Sequence, residues 1–194
     1  MVIVMINRKI DAMIFLIENC DSSISDISRG LNIDYKNTHN IIKKLEKEGI
    51  ISLRRIGRLL SSSVNKKMNE AIFSAEYERR RRILKKSDMK ILSQRLESLK
   101  FFFVLLIFGS YAKGTSKKSS DIDVMAICDE GRKNEIRREM SLMPLDIHLS
   151  AFTPEEFRDM LNKKEFSVVS EAARRNIILI GIEDYYRMIE DAEQ

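Results

Sequence analysis

The stretch that most constrains the fold runs from residue 101 to residue 127 and reads FFFVLLIFGSYAKGTSKKSSDIDVMAI. It begins with eight consecutive apolar residues, 101–108, which predict a strand that is covered on both faces. Gly109 then permits a sharp turn and the close approach of a ligand, and Ser110 is a favourable N-cap residue for a helix. The stretch therefore predicts a buried strand that leads into a turn able to receive an anion.

Two aspartates follow, two residues apart, on what the pattern predicts to be the next strand. Side chains alternate along a strand, so Asp121 and Asp123 should lie on one face. The alternating Ile122, Val124 and Ala126 should then point into the core. Paired carboxylates beside an anion-binding turn suit a nucleoside triphosphate that carries Mg²⁺, because this ion prefers carboxylate, phosphate and water oxygens.

The order of these parts resembles the signature of the minimal nucleotidyltransferases of the DNA polymerase beta superfamily. The residues that carry the resemblance are Gly109-Ser110, a spacer of ten residues, and Asp121-Ile122-Asp123. The resemblance implies an enzyme that transfers a nucleoside monophosphate from a triphosphate to an acceptor. It implies that Asp121 and Asp123 are catalytic metal ligands, and that Gly109, Ser110 and Lys113 contact the nucleotide.

A third carboxylate is expected on a neighbouring strand. Residues 144–150 alternate strictly between apolar and polar, which predicts a strand with Asp146 on the face opposite the core. The resemblance implies that Asp146 is the third catalytic and metal-binding aspartate, which would also help to deprotonate the acceptor. Two Mg²⁺ ions are the expected cofactors, with Mn²⁺ as an alternative. His148 shares the face of Asp146, and a role for it in nucleotide contact is left open.

The front of the chain, residues 8–65, predicts three helices and a basic hairpin. The phrase KKLEKEGIISLRRIGR resembles the end of the recognition helix and the wing of winged helix-turn-helix domains in bacterial and archaeal transcription regulators. In that family the third helix, predicted here over 35–48, enters the major groove and the wing touches the backbone. The resemblance implies DNA-binding residues near the base edges (Lys36, Asn37, Thr38, His39, Asn40) and near the phosphates (Lys43, Lys44, Arg54, Arg55, Arg58).

The apolar spacing of the third helix predicts an inward face made of Tyr35, Thr38, Ile41, Ile42 and Leu45. A second reading of the front domain, as a module for protein docking or dimerisation, stays open because surface lysines are common on such modules.

The charge distribution supports a division of the chain. Residues 1–67 hold 12 Lys and Arg against 7 Asp and Glu, whereas residues 101–194 hold 13 against 17. A basic front suits double-stranded DNA. We therefore predict an α+β protein with a winged helix-turn-helix over 1–66, a helical connector over 67–100 and a nucleotidyltransferase domain with a mixed sheet over 101–194.

Composition removes several other classes. The longest apolar run is too short to cross a membrane, and the apolar start is too short for a secretory signal. Cys20 and Cys128 have no metal-binding or redox spacing, so a cytoplasmic protein with reduced thiols is expected. The domain after residue 100 is too small to hold a template as true polymerases do.

Several functional alternatives stay open at this stage. The acceptor could be a protein, and small members of the superfamily include antitoxins that pair with a separate toxin. The back domain could instead only bind or sense nucleotide for a transcription regulator. A homodimer is the common state of winged-helix regulators and is also left open.

Overall fold

The computed structural model describes residues 2–57, 59–117, 120–163 and 165–192, with side chains from residue 8 onward. The chain divides into two compact units, Met1–Ala75 and Glu76–Gln194. The predicted connector over 67–100 is thus shared between them. Within the described ranges, none of the helices combines the length and the apolar character that a membrane crossing requires.

The first unit consists of helices and one small antiparallel sheet of strand order β1-β3-β2. Its elements are α1 (Val2–Asn19), β1 (Ser22–Ser23), α2 (Ile24–Leu31), α3 (Tyr35–Lys47), β2 (Ile51–Ile56), β3 (Leu59–Val64) and the first half of α4 (Glu70–Ile83). The three helices and the hairpin match the predicted order. The short β1 was not predicted, and α1 begins well before the predicted residue 8.

Local chemistry places the helix ends of the first unit. Ser23 and Asp26 form a capping box at the start of α2, and the Asp34 side chain accepts a hydrogen bond from the N–H of Asn37 at the start of α3. Gly49 follows α3 with a φ of +71°, as the C′ position of a helix favours. One predicted core residue is wrong: Tyr35 is 54% exposed, because it occupies the first turn of α3 beyond the packed part of the helix.

The second unit is a mixed four-stranded sheet with helices around it. Its elements after α4 are α5 (Ser87–Glu97), β4 (Val104–Ile107), α6 (Gly109–Lys113), β5 (Ile122–Ile127), a 3-10 turn (Glu130–Arg132), α7 (Lys133–Ser141), β6 (Ile147–Phe152), α8 (Pro154–Asn162), α9 (Val168–Arg174), β7 (Ile177–Ile180) and α10 (Ile182–Ala192). The strand order is β6-β5-β4-β7, with β5 and β6 parallel and the other pairs antiparallel. The predicted α+β class with a mixed sheet is confirmed.

Both faces of this sheet are covered. Ile107 and Val124 belong to one apolar cluster together with residues of α5 and α7. The alternating residues Leu106, Met125 and Ile178 are also fully buried, on the other face. The central strands therefore read as continuous apolar runs, as their sequence predicted.

The strand predicted over 101–108 is shorter in the structure. Pairing on both sides of β4 begins at Val104 and Leu105, which lie opposite Ile127 and Ile180, the last residues of β5 and β7. Phe102 lies before this pairing and is 94% exposed. The apolar run therefore overstates the length of the strand, because the neighbouring strands end first.

A buried polar network joins α4 to the rest of the second unit. Arg79 Nη1 donates to Glu76 Oε2 at 2.7 Å, and both side chains are almost fully buried. The Tyr186 hydroxyl donates to the other oxygen of Glu76 at 2.7 Å, and Arg79 also donates to the carbonyl of Asn176. Buried charges need such partners. The second half of α4 is therefore an integral part of this unit.

Candidate active site and nucleic-acid interface

The turn after β4 lies directly against the first strand that carries aspartates. Gly109 has a φ of +62°, and a Cβ on it would lie 2.0 Å from Asp123 Oδ2. The N–H of Phe108 donates to the carbonyl of Asp123 at 3.0 Å and continues the ladder into the turn. The structure thus brings together the predicted glycine turn and the second aspartate, at a distance that only glycine permits.

Ser110 does not cap the helix as predicted. The helix α6 begins at Gly109, two residues earlier than a cap at Ser110 predicts, and its N-cap is Phe108, which offers no side-chain hydrogen bond. Ser110 is instead the second residue of this helix. The carbonyl of Ser110 accepts the N–H of Thr115 at 3.0 Å, which closes the turn after the helix.

The starts of β5 and β6 lie side by side next to this turn. The N–H of Ile122 donates to the carbonyl of Asp146 at 2.8 Å, so Asp146 lies beside the start of β5. The parallel register pairs Asp123 with His148. Asp121 and Asp146 each come immediately before their strand, as Ile122 pairs with Ile147. The sheet therefore places the backbones of all three predicted aspartates at one end of the strands. This end, where β4 finishes and β5 and β6 begin, is called the edge of the sheet below.

The side chains at this edge differ in exposure. Asp121 and Asp146 are exposed, whereas Asp123 is partly buried. The His148 Nδ1 atom lies 3.9 Å from Asp121 Oδ2. Among the side chains that the structure describes, no group of three or more His, Cys, Asp and Glu is placed to hold a metal ion. The structure therefore joins the three aspartates through the backbone and does not arrange their carboxylates as a closed ligand set.

The environment of Asp123 perturbs the pKa of its carboxyl. Burial raises the pKa of the Asp123 carboxyl, because the charged form loses water. The nearby carboxylates of Asp121 and Glu171 raise this pKa further. The neighbouring side chains of His148 and Lys113 lower it. Perturbed carboxyls of this kind concentrate at functional sites.

Glu171 is a member of the site that sequence reasoning missed. It lies on α9, and its Oε1 atom is 2.9 Å from Nζ of Lys113, the last residue of α6. The helix α9 ends just before β7, which pairs antiparallel with β4, so the end of α9 comes to the same edge as Gly109. No local pattern in the sequence could indicate this, because 58 residues separate the two partners.

The donors present suit a hard cation. Mg²⁺ is commonly held by one or two carboxylates together with substrate phosphates and water, without a complete protein cage. Asp123 lies on β5 and Asp121 comes immediately before this strand, at the edge beside Gly109, and both offer carboxylate oxygens. This donor set fits Mg²⁺ or Mn²⁺ delivered with a nucleotide.

The predicted DNA-contacting residues of α3 are mostly exposed. Lys36, Asn37, Asn40 and Lys44 all lie on the surface. Thr38 is the exception, and its assignment to the base edges is wrong, because it is 1% exposed and donates its hydroxyl to the carbonyl of residue 34.

Two further α3 residues are engaged within the helix. Lys43 forms an ion pair with Glu46 at 2.8 Å, an exposed contact that a phosphate could replace. His39 is half-buried, and its ring stacks on Tyr35 with 6.3 Å between the ring centres.

The hairpin that follows α3 is basic on its exposed surface. Arg54 and Arg55 are exposed on β2, while Arg58 lies outside the described residues. The residues 51–64 contain no Asp or Glu. Ile56 and Leu59 pair across the tip, and both are exposed. A surface without acidic residues is suited to phosphates.

Two family models match the chain and cover these two regions. Residues 90–184 match the family of polymerase beta nucleotidyltransferases, and residues 8–52 match the winged helix-turn-helix DNA-binding family. No curated protein and no solved structure matches the chain. The chain therefore carries a winged helix-turn-helix DNA-binding domain followed by a nucleotidyltransferase domain of the polymerase beta family.

Proposed function

We propose that this protein transfers a nucleoside monophosphate from a nucleoside triphosphate to an acceptor, with Mg²⁺ as its metal, and that its front domain binds double-stranded DNA. The observation that carries the first part is the contact of Gly109 with Asp123 inside a domain of the polymerase beta family. The turn leaves no room for a Cβ, and it lies beside the carboxyl of Asp123, whose pKa is raised by burial.

The reaction forms one bond and breaks one. An acceptor oxygen attacks the α-phosphorus, and the bond from this phosphorus to the oxygen that bridges the α- and β-phosphates breaks. Pyrophosphate leaves with the electron pair of that bond, and the acceptor hydroxyl loses its proton. The attacking and leaving oxygens both gain negative charge in the transition state, so catalysis here depends on positioning and on charge.

The residues at the sheet edge have separate roles in this proposal. Gly109 lets the triphosphate approach the backbone, and the N–H groups and hydroxyl at the start of α6 bind its phosphate oxygens. Lys113, at the end of the same helix, supplies a positive charge to these phosphates. Asp146, at the start of β6, would accept the acceptor proton.

Asp121 and Asp123 would hold Mg²⁺ or Mn²⁺, with Asp146 as a third ligand. The metal, when bound, supplies positive charge at the phosphates on which negative charge develops. The burial of Asp123 limits the water around this carboxyl and so strengthens its electrostatic interactions.

The test is incubation with each of ATP, GTP, CTP and UTP labelled at the α-phosphate, with Mg²⁺ or Mn²⁺. We expect pyrophosphate release and transfer of the label, to the protein itself or to an added acceptor. Asp121→Asn should lower both rates by at least about 10²-fold, because it removes a metal ligand. Asp129→Asn is the matched control, since Asp129 is an exposed aspartate just after the opposite end of β5.

Two results would contradict the proposed transfer. Release of pyrophosphate that survives Asp121→Asn would place the chemistry elsewhere. Nucleotide binding without release of pyrophosphate would instead support the alternative in which the back domain only senses nucleotide for a DNA-bound regulator.

The pairing of a DNA-binding domain with a nucleotidyltransferase domain supports a regulatory role. We propose that the state of the nucleotide site alters transcription through DNA binding. The nature of the acceptor, and whether it is a protein partner such as a toxin, is to be read from the label in the same experiment.

A further inference from the structure

We infer that Glu171 competes with the triphosphate for the ammonium group of Lys113, and so sets the affinity of the site for nucleotide. The inference rests on the proposed function, because it assumes that a nucleotide binds at the edge formed by Gly109 and Asp123. It adds a residue of α9 to a site that is otherwise built from α6, β5 and β6.

The contact itself is direct. Glu171 Oε1 and Lys113 Nζ are 2.9 Å apart, and the pair joins α9 to α6. Both side chains also act on the pKa of Asp123, with opposite signs, which shows that they lie within electrostatic reach of this carboxyl. A cation next to the glycine turn is therefore already engaged by a carboxylate of the same chain.

The glutamate is held in place by its helix. The N–H of Glu171 donates to the carbonyl of Ser167 at 3.0 Å, and Ser167 caps α9 through a capping box with Ser170. The flanking Val169 and Ala172 are fully buried. The backbone of Glu171 is thus anchored, and its negative charge stays near the site when a ligand arrives.

The ion pair is weak enough to exchange. The side chains of Lys113 and Glu171 are 46% and 36% exposed, and ion pairs at such positions contribute little to stability because water screens them. The long, flexible lysine gains little orientation from such a partner. A triphosphate offers more negative charge than one carboxylate, so it can replace Glu171 as the partner of Lys113. The bound triphosphate must then lie near the Glu171 carboxylate, which repels it.

Two roles for Glu171 predict opposite signs. If Glu171 competes with the phosphates, the Glu171→Gln variant of the protein should bind nucleotide more tightly. If Glu171 instead holds Lys113 in the orientation that binds phosphate, the same substitution should weaken binding. The sign of one affinity change therefore separates the two roles.

The experiment measures equilibrium binding of the α,β-methylene analogues of ATP, GTP, CTP and UTP with Mg²⁺, which bind without transfer. We expect Glu171→Gln to lower the dissociation constant of the preferred analogue by about three- to tenfold. Lys113→Met should raise it. In the Lys113→Met background, the gain from Glu171→Gln should shrink to about twofold or less, because only the repulsion remains to be removed.

Glu135→Gln is the matched control, because Glu135 also forms a half-exposed ion pair, with Arg132 at 3.0 Å, at the start of α7. It should leave the dissociation constant unchanged. An unchanged or raised dissociation constant in Glu171→Gln would overturn the inference, and so would a full gain in the Lys113→Met background.

Failure of this inference can be told apart from failure of the proposed function. If the wild type binds the analogues but transfers no label from the true nucleotides, the transfer reaction fails while the affinities still decide the role of Glu171. If the wild type transfers label and Glu171→Gln does not tighten binding, the role of Glu171 fails alone. If no analogue binds and no label is transferred, both proposals are overturned.

Discussion

The two units of this protein place their candidate functional residues under very different constraints. In the second unit, Gly109 and Asp123 touch at the edge of a sheet that is buried on both faces, and one added carbon atom would collide with a carboxylate oxygen. In the first unit, Lys36, Lys44 and Arg54 lie on an open surface. The arrangement in the second unit depends on packing, whereas the arrangement in the first unit depends mainly on net charge.

The difference indicates how each unit should respond to substitution. A residue whose position is set by buried neighbours changes stability and geometry together when it is replaced. Replacement of an exposed cation changes only one contribution to a long-range attraction for phosphates that many other cations share. We therefore expect large effects at single positions in the second unit and small, additive effects in the first.

The largest expected effect tests the buried network of the second unit. Arg79→Met should lower the free energy of unfolding by about 3–5 kcal/mol, because it leaves the buried carboxylate of Glu76 without its cation. Arg80→Met is the control, since Arg80 pairs with Glu97 at a partly exposed position and should cost less than about 1 kcal/mol. The measurement is denaturant unfolding of both variants, and equal losses would contradict the contrast between buried and exposed charges.

The next effect separates activity from stability at one residue. Asp123→Asn should lower the transfer rate by about 10²–10³-fold, because it removes a carboxylate from the reacting phosphates. The raised pKa of Asp123 means that the folded state disfavours the charged form, so the neutral amide should unfold at the same or a higher temperature at pH 7. Thermal unfolding and label transfer on the same sample test both signs, and a variant that loses stability would show that the buried charge is well compensated.

Alanine substitutions at two glycines test the close approach of Gly109 to Asp123. Gly109→Ala combines a positive φ with a collision at Asp123, whereas Gly114→Ala has a φ of +70° with open space around it. The φ change alone should cost about 1–2 kcal/mol in each variant, and Gly109→Ala should lose more and should also lose transfer activity. If the two variants behave alike in unfolding and in transfer, the contact with Asp123 does not shape the site.

A smaller effect depends on pH and lies in α4. The guanidinium groups of Arg81 and Arg82 lower the pKa of Glu78 to about 2. Since the folded pKa is below the ordinary value of 4.5, the contact stabilises the protein above pH 4.5 and this contribution is lost as the pH falls through about 2. Glu78→Gln should therefore cost about 1 kcal/mol at pH 7, after allowance for partial exposure, and little at pH 2. A cost that is the same at both pH values would contradict this assignment.

The smallest effect concerns the wing of the first unit. Arg54→Ala should weaken binding to duplex DNA a few-fold at physiological salt and should reduce the slope of log affinity against log salt by about one. Lys67→Ala, at an exposed lysine outside the predicted DNA-binding set, is the control. Titrations at several salt concentrations measure both quantities, and an unchanged slope in Arg54→Ala would favour the reading of this unit as a protein-docking module.

The fold could be predicted from the sequence where its signals are local. The helix α3 begins at the predicted residue, Tyr35, and ends at Lys47, one residue before the predicted end. The ends of strands were less predictable. β6 runs over Ile147–Phe152 rather than over the predicted 144–150, because its bounds follow the residues of β5 with which it pairs.

The candidate site shows the same division. The spacing from Gly109 to Asp123 was readable because a turn and an alternating strand are properties of short segments. The burial of Thr38 follows the helical period of α3, whereas the exposure of Tyr35 does not, since the period does not tell how far along the helix the core extends.

By itself, the sequence determined the order of the two domains, the glycine turn and the pair of aspartates that follows it, because each of these is carried by neighbours in the chain. The tertiary structure alone decided that Glu171 reaches Lys113 and that burial raises the pKa of Asp123. These contacts join residues that the chain keeps far apart, and only the pairing of β7 with β4 brings α9 to the edge of the sheet where they form.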